Sequence, residues 1–198
     1  GHLGINLTTE LIPILKKSKS TLIFTNTRSQ CELWYQKLLE KMPELAGDMA
    51  MHHGSIDRNI RLWVENAVRN EKIKVVVCTS SLDLGVDFHP VESIVQIGGP
   101  KGVARFIQRA GRSGHRPKEV SKLYFLPTHA IELIEAAALN KAVKKDFVER
   151  RNPYLLSFDV LIQFLVSLAV SDGFYPKQTL KFIKKTYAFS TINNDEWE

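Results

Sequence analysis

Residues 73–88 read IKVVVCTSSLDLGVDF: an apolar run over 73–79 that turns polar at Ser80 and Ser81. A β-branched run with no polar face suits a strand buried on both sides, as in a parallel sheet. Parallel strands need crossover connections, so helices should alternate with strands on either side of this run. They do. Upstream, TLIFTNTRSQCELWYQKLLEK holds a short β-favouring run at 21–25, a polar NTRS link and an amphipathic pattern that predicts a helix over 30–41. AGDMAMHHGS reads as a second short strand ending in a glycine turn, with a helix over 57–69 after it. Downstream, ESIVQIGG reads as another strand, 102–109 as a helix and SKLYFLP as a last strand. The expected class is α/β: an open, mainly parallel sheet with flanking helices, its ligand-binding loops at the carboxyl ends of the strands.

Beyond Pro127 the character changes. HAIELIEAAALNKAVKKDF is alanine-rich and helical, and ERRNPYLLS is a polar connection broken by proline. FDVLIQFLVSLAVSDGF and PKQTLKFIKKTYAF then form two helices joined at Gly173 and Pro176, spaced to open a helix-turn-helix or winged helix. The expected division is 1–150 for the α/β domain and 151–198 for a helical extension with no third helix or wing. Tyr187, Ala188 and Phe189 would be partly unsupported if a wing normally covers them.

The chain has 198 residues with 44% hydrophobic content, ample for a packed core. Its net charge of +6 is concentrated: 101–151 holds twelve basic and five acidic residues, leaving the rest near neutrality. That asymmetry points either to a polyanionic partner or to a solvated basic face. The two cysteines, Cys31 and Cys78, lie in apolar segments without metal-ligand spacing, so no metal site is expected and a reducing cytoplasm fits. No apolar run reaches the roughly 18 residues of a membrane span, and no signal peptide is visible.

The basic excess includes RFIQRAGRSGHRP, residues 105–117, where Arg105, Arg109, Arg112 and Arg116 recur at steps of three or four. A helix surface would tolerate the charges but not Gly111 and Gly114, each of which costs about 1 kcal/mol in a helix interior. The pattern reads as arginines presented at the end of a helix.

Four polar loops thus follow four strands: TNTR at 25–28, HHGS at 52–55, TSSLDLGVDF at 79–88 and QRAGRSGH at 108–115. Each alone has an ordinary explanation. Thr25 and Asn26 end a strand, His53 packs, Gly54 and Ser55 make a turn, and Gly85 and Asp87 supply a turn and a cap. In their order and spacing, however, they resemble the second RecA-like motor domain of superfamily 2 helicases: LIFTNTR is similar to motif IV, HHGS to the next phosphate-contacting loop, VVCTSSLDLGVDF to motif V and QRAGRSGH to motif VI. SLDLGVDF and GGPKGVARFIQRAGRSGH resemble most the large helicase-related (Lhr) and ligase-associated group, in which a winged helix follows directly.

The resemblance implies an ATP-dependent 3′-to-5′ DNA helicase or translocase with ATP and Mg²⁺ between two motor domains. Arg112 would contact the γ-phosphate, Arg109 would support it and Gln108 would link the site to the opposing domain. Guanidiniums there stabilise the charge that shifts among phosphate oxygens as the bond breaks. Gly85 and Asp87 would meet the nucleotide, Asp87 at the ribose hydroxyls. Thr25, Gly54, Ser55, Thr79 and Ser80, with added charge from Arg28 and Lys101, would hold the nucleic-acid backbone, single-stranded DNA by the resemblance. Hydroxyls and amides bind phosphate without reading bases. Many relatives end motif VI in arginine, where this chain has His115, as the Lhr group also does.

The chain has no G-x-x-x-x-G-K-[ST] phosphate loop and no Asp-Glu pair closing an apolar strand. DEWE at 195–198 matches only superficially, since STINN before it is not a buried strand, and it reads as a surface or helix-start segment. The expected partner is therefore a first RecA-like domain of the same full-length chain, holding most of the Mg²⁺ contacts, without which these residues should be inactive. RNA in place of DNA, and a nucleic-acid-binding module without turnover, remain the alternatives.

Overall fold

The computed structural model describes residues 7–84, 91–114, 121–150 and 152–198. Two compact units divide at Glu149, the first Gly1–Glu149 and the second Arg150–Glu198.

In the first unit five strands form one sheet: β1 (Thr21–Phe24), β2 (Met49–His52), β3 (Val75–Cys78), β4 (Ser93–Ile97) and β5 (Leu123–Leu126). Every pairing is parallel and the order is β2-β3-β1-β4-β5. The expected "mainly parallel" sheet is wholly parallel among the described residues. All residues of β1, β3 and β4 are buried, because helices cover both faces. Phe24, the last residue of β1, pairs with Cys78, the last of β3, so these two strands end together, and β4 ends one residue beyond Gln96, the partner of Phe24.

One face is covered by α1 (Thr8–Lys17) and α2 (Arg28–Lys41), whose Leu11, Leu15, Trp34 and Leu38 meet Ile23, Val75, Val77 and Val95. The helix α1 was not expected from the sequence, where Pro13 argues against a helix interior. On the other face α3 (Arg58–Arg69) brings Val64, Ala67 and Val68 against Leu22, Phe24, Val76 and Ile94. Local caps set where these helices begin. The Thr27 hydroxyl accepts the Gln30 amide at 3.2 Å while Gln30 Oε1 accepts the Asn26 amide at 3.2 Å, so α2 starts two residues before the expected position. Asp57 is the cap of α3, accepting from the Asn59 amide at 2.8 Å, and not its first residue. After β4 comes α4 (Val103–Ala110), and after β5 comes α5 (Ile131–Lys144).

Both cysteines are buried; burial pushes the Cys31 thiol up to about 12 and the Cys78 thiol well above its ordinary value. No helix among the described residues is long and apolar enough to cross a membrane.

The second unit holds α6 (Phe158–Val170) and α7 (Pro176–Ile183), with Pro176 in the first turn of α7. Its core joins Leu161 and Ile183 to Phe189 and Ile192. Of the three residues expected to lack support, Phe189 is 8% exposed while Tyr187 is 64% exposed. The segment 195–198 is a surface turn in which Asn193 and Glu196 bond each other's amides through their side chains.

Candidate functional site

Three strand-end loops converge above β1, β2 and β3. Asn26, Thr27 and Arg28 follow β1, Gly54 follows β2, and Thr79, Ser80 and Ser81 follow β3; together they line an open pocket of about 450 Å³. Its polar groups are hydroxyls, a carboxamide, backbone amides and one guanidinium. Arg28 leans over Gly54, its Nη2 3.9 Å from where a Cβ would stand.

Of the expected nucleic-acid contacts, Arg28, Gly54, Thr79 and Ser80 line this pocket, and Ser55 is exposed beside Gly54. Lys101 stands on another loop, exposed and with φ 59. Thr25 is fully buried and stands apart from the pocket lining; its hydroxyl has the Thr27 and Cys78 carbonyls at 3.2 Å and so shapes the loop. Asn26, Thr27 and Ser81 were missed. The Thr-x-x-Gln spacing could have marked Thr27 as a cap at a strand-helix junction, whereas nothing in the sequence marked Ser81.

Ser81 is held from behind. The His52 Nδ1 lies 2.7 Å from Ser81 Oγ and its Nε2 3.1 Å from Glu65 Oε1 on α3. Because a carboxylate only accepts, the Nε2 carries the proton in the neutral ring and Nδ1 is left as an acceptor; the single hydrogen of the Ser81 hydroxyl then has two acceptors, that nitrogen and the His52 carbonyl at 2.9 Å. His53, the second histidine of the loop, is also packed: its Nδ1 accepts the Ser55 amide at 3.3 Å and its Nε2 faces Glu32 at 3.5 Å.

Burial lowers the His52 pKa below the ordinary value, with the Arg61 charge adding to it and Glu65 opposing it. The unfolded chain therefore binds a proton more readily than the folded one as pH drops through the ordinary histidine range. This contribution to stability is complete above about pH 6.5 and is lost as pH falls towards the folded pKa. Urea unfolding measured between about pH 7 and about pH 5 should show stability declining with acidity, and His52→Gln should flatten that slope.

The turn that carries Thr79, Ser80 and Ser81 continues into Asp83, and there the second constellation begins. Arg109 on α4 is 1% exposed; its Nε donates to Asp83 Oδ1 at 2.8 Å, its Nη2 to Asp83 Oδ2 at 3.2 Å and its Nη1 to Gln96 Oε1. The guanidinium also lies over the Phe24 ring, 4.7 Å from the centroid. Arg105 Nε is 3.5 Å from Asp83 Oδ2. Arg112 rests on the same residue by its backbone: Nε and Nη2 donate to the Asp83 carbonyl at 3.2 and 2.7 Å. The Arg112 carbonyl in turn accepts the Val91 amide at 3.0 Å, just before β4.

Asp83 is thus the hub of the arginine helix, a role that the sequence reading missed because LDLG looks like turn chemistry. Arg109, expected to support Arg112, is a buried guanidinium whose bonds to Asp83 and Gln96 hold the helix in place. Gln108 is exposed on α4. Gly85, Asp87, His115 and Arg116 lie outside the described residues. Among the described residues no group of three His, Cys, Asp or Glu side chains could hold a metal ion.

A five-stranded parallel sheet whose strand-end loops meet an arginine-bearing helix has the RecA-like fold of helicase C-terminal domains. The chain belongs to the helicase conserved C-terminal domain family, whose model matches residues 5–116, and residues 141–198 match the winged helix domain of the large helicase-related protein. Among its relatives, the ATP-dependent helicase Lhr-Core of Methanocaldococcus jannaschii is 35% identical over 188 residues, 93% of this chain and 22% of that protein. The Lhr-Core protein 2 of Thermococcus barophilus is 33% identical over 184 residues, 93% of this chain and 21% of that protein. The chain therefore spans about a fifth of these curated relatives. A solved structure of Mycobacterium smegmatis helicase Lhr bound to ssDNA and AMP-PNP superposes with a TM-score of 0.89 at 26% identity, over 97% of this chain and 26% of that one.

Proposed function

We propose that this domain is the second motor domain of an ATP-dependent DNA helicase or translocase, gripping the backbone of single-stranded DNA through the three-loop pocket and supplying Arg112 to ATP. The nucleotide lies between it and a first RecA-like domain of the full-length polypeptide, which holds most of the Mg²⁺ contacts. The observation that carries this reading is the shared turn at 79–83. Its first residues line the pocket and its last residue anchors Arg105, Arg109 and Arg112. A shift of the gripped strand therefore moves the support of the arginines, which is the coupling a motor needs. The neighbouring helicase bound to ssDNA and AMP-PNP supports DNA over RNA.

In the mechanism, Thr79, Ser80, Gly54 and their neighbours offer hydroxyl and amide donors to successive phosphates, without sequence preference. Among the residues lining the pocket, Arg28 adds a positive charge. On the nucleotide side Arg112 leaves the Asp83 carbonyl for the γ-phosphate when the two motor domains close, and Gln108 contacts the opposing domain. Charge that builds on the phosphate oxygens as the terminal P–O bond lengthens is then met by a preoriented guanidinium. Asp87 and Gly85 are assigned to the nucleotide as the resemblance has them.

The test is ATP hydrolysis by the full-length polypeptide with and without single-stranded DNA or RNA. Stimulation by DNA supports the reading; DNA binding with no turnover would leave a binding module in its place. Arg28→Ala should weaken single-strand binding on the order of tenfold at low salt and lower the slope of log K against log salt by about 0.7. Oligonucleotides of unrelated sequence should suffer alike.

A further inference from the structure

The helix that carries the arginines starts without a cap of its own. Its N-cap position is Gly102, with φ 135 and no side chain to bond the first amides, and Lys101 before it also has positive φ. The job is done from 46 residues away: Glu149 Oε2 accepts the Val103 amide at 3.1 Å and the Ala104 amide at 3.2 Å, with Oε1 3.3 Å from the latter. The glycine is required twice over. Its φ lies where side chains are strained, and a Cβ would run into Glu149 Oε1. A second carboxylate steadies the loop just upstream, where Glu132 Oε1 accepts the Gly99 amide at 2.9 Å. A negative group at a helix N-terminus also complements the helix dipole.

We infer that Glu149 is a positioning residue for Arg112, fixing the start of α4 as Asp83 fixes its end. From the capped end the helix runs only eight residues before the turn to Arg112, so its tilt at Val103 sets where the guanidinium stands. Glu149 is the residue on which the first unit ends, and it lies within the stretch matched by the winged-helix family. The arginine helix is therefore held by the segment that leads into the second unit. This inference rests on the assignment of Arg112 proposed above.

Two measurements test it. In the 198-residue chain, Glu149→Ala should speed hydrogen exchange at the Val103 and Ala104 amides while leaving the central amides of α2 protected. Unchanged protection at Val103 and Ala104 would overturn the cap. In the full-length polypeptide, E149A should lower kcat for ATP by about 10- to 100-fold, as expected for a misplaced catalytic group, with little change in KM. E149Q, which keeps one accepting oxygen, should fall between. A residue acting through Arg112 has no further effect once Arg112 is gone, so E149A added to R112A should leave the residual rate unchanged. An equal fractional loss in both backgrounds would mean a merely structural role and overturn the inference. A normal rate in R112A alone would overturn the arginine assignment beneath it, while hydrogen exchange would still judge the cap.

Discussion

Replacing Arg112 with alanine in the full-length polypeptide should slow ATP hydrolysis by about a thousand- to a hundred-thousand-fold. Binding of ATP should change little, because the guanidinium stabilises charge that appears only as the phosphoryl group leaves. Steady-state rates would show kcat and kcat/KM falling together, the signature of an interaction made in the transition state. In this structure the guanidinium is bonded to the Asp83 carbonyl through two of its nitrogens, so it is already held beside α4. Arg112→Lys should rescue little, since an ammonium lacks the planar fork that matches two phosphate oxygens. A loss below about tenfold in R112A would sink the assignment, because an arginine finger contributes far more than that.

The second large effect concerns stability. Asp83→Ala should destabilise the first unit by about 3–5 kcal/mol, the usual consequence of stripping one partner from a buried ion pair. The cause is Arg109, which would keep its charge at 1% exposure with only Gln96 and the Phe24 ring for company. For a chain of this size that corresponds to a drop in thermal midpoint on the order of 10 °C. Calorimetry of D83A beside the double variant D83A/R109M separates the causes. If the unpaired charge is responsible, the double variant recovers most of the loss, because an apolar replacement of a buried pair is often close to neutral. If it stays as unstable as D83A, lost packing around the Asp83 turn is the cause.

The parallel sheet and the position of its loops were legible because they depend on local patterning. Three short, mostly apolar runs, at 21–25, 73–79 and around Ile94, read as strands covered on both sides by their shortness and β-branched content, and each ends in a polar loop. The hydroxyls of Thr79 and Ser80 and the exposed Gly54 were readable for the same reason: they sit where a strand stops. The helix α1 was hidden by Pro13, whose missing amide argues against a helix interior until packing of Leu11 and Leu15 against the sheet outweighs it.

What tertiary structure decided was which polar residues face in. Thr25 and Arg109 belong to motif-like stretches, and the spacing alone gives no sign that both are buried; Asp83 makes the burial of Arg109 possible from 26 residues away, and Glu149 replaces a missing cap from 46. Such partners are chosen by the fold, since a buried charge or an uncapped amide must find its complement wherever the sheet brings one within hydrogen-bond distance. By itself the sequence determined the alternation of strands and helices, the loops at the strand ends and the arginines of the last crossover, all properties of neighbours along the chain. The pairing of those arginines with Asp83, and of α4 with Glu149, arose only once the sheet had closed, because both join residues far apart in sequence.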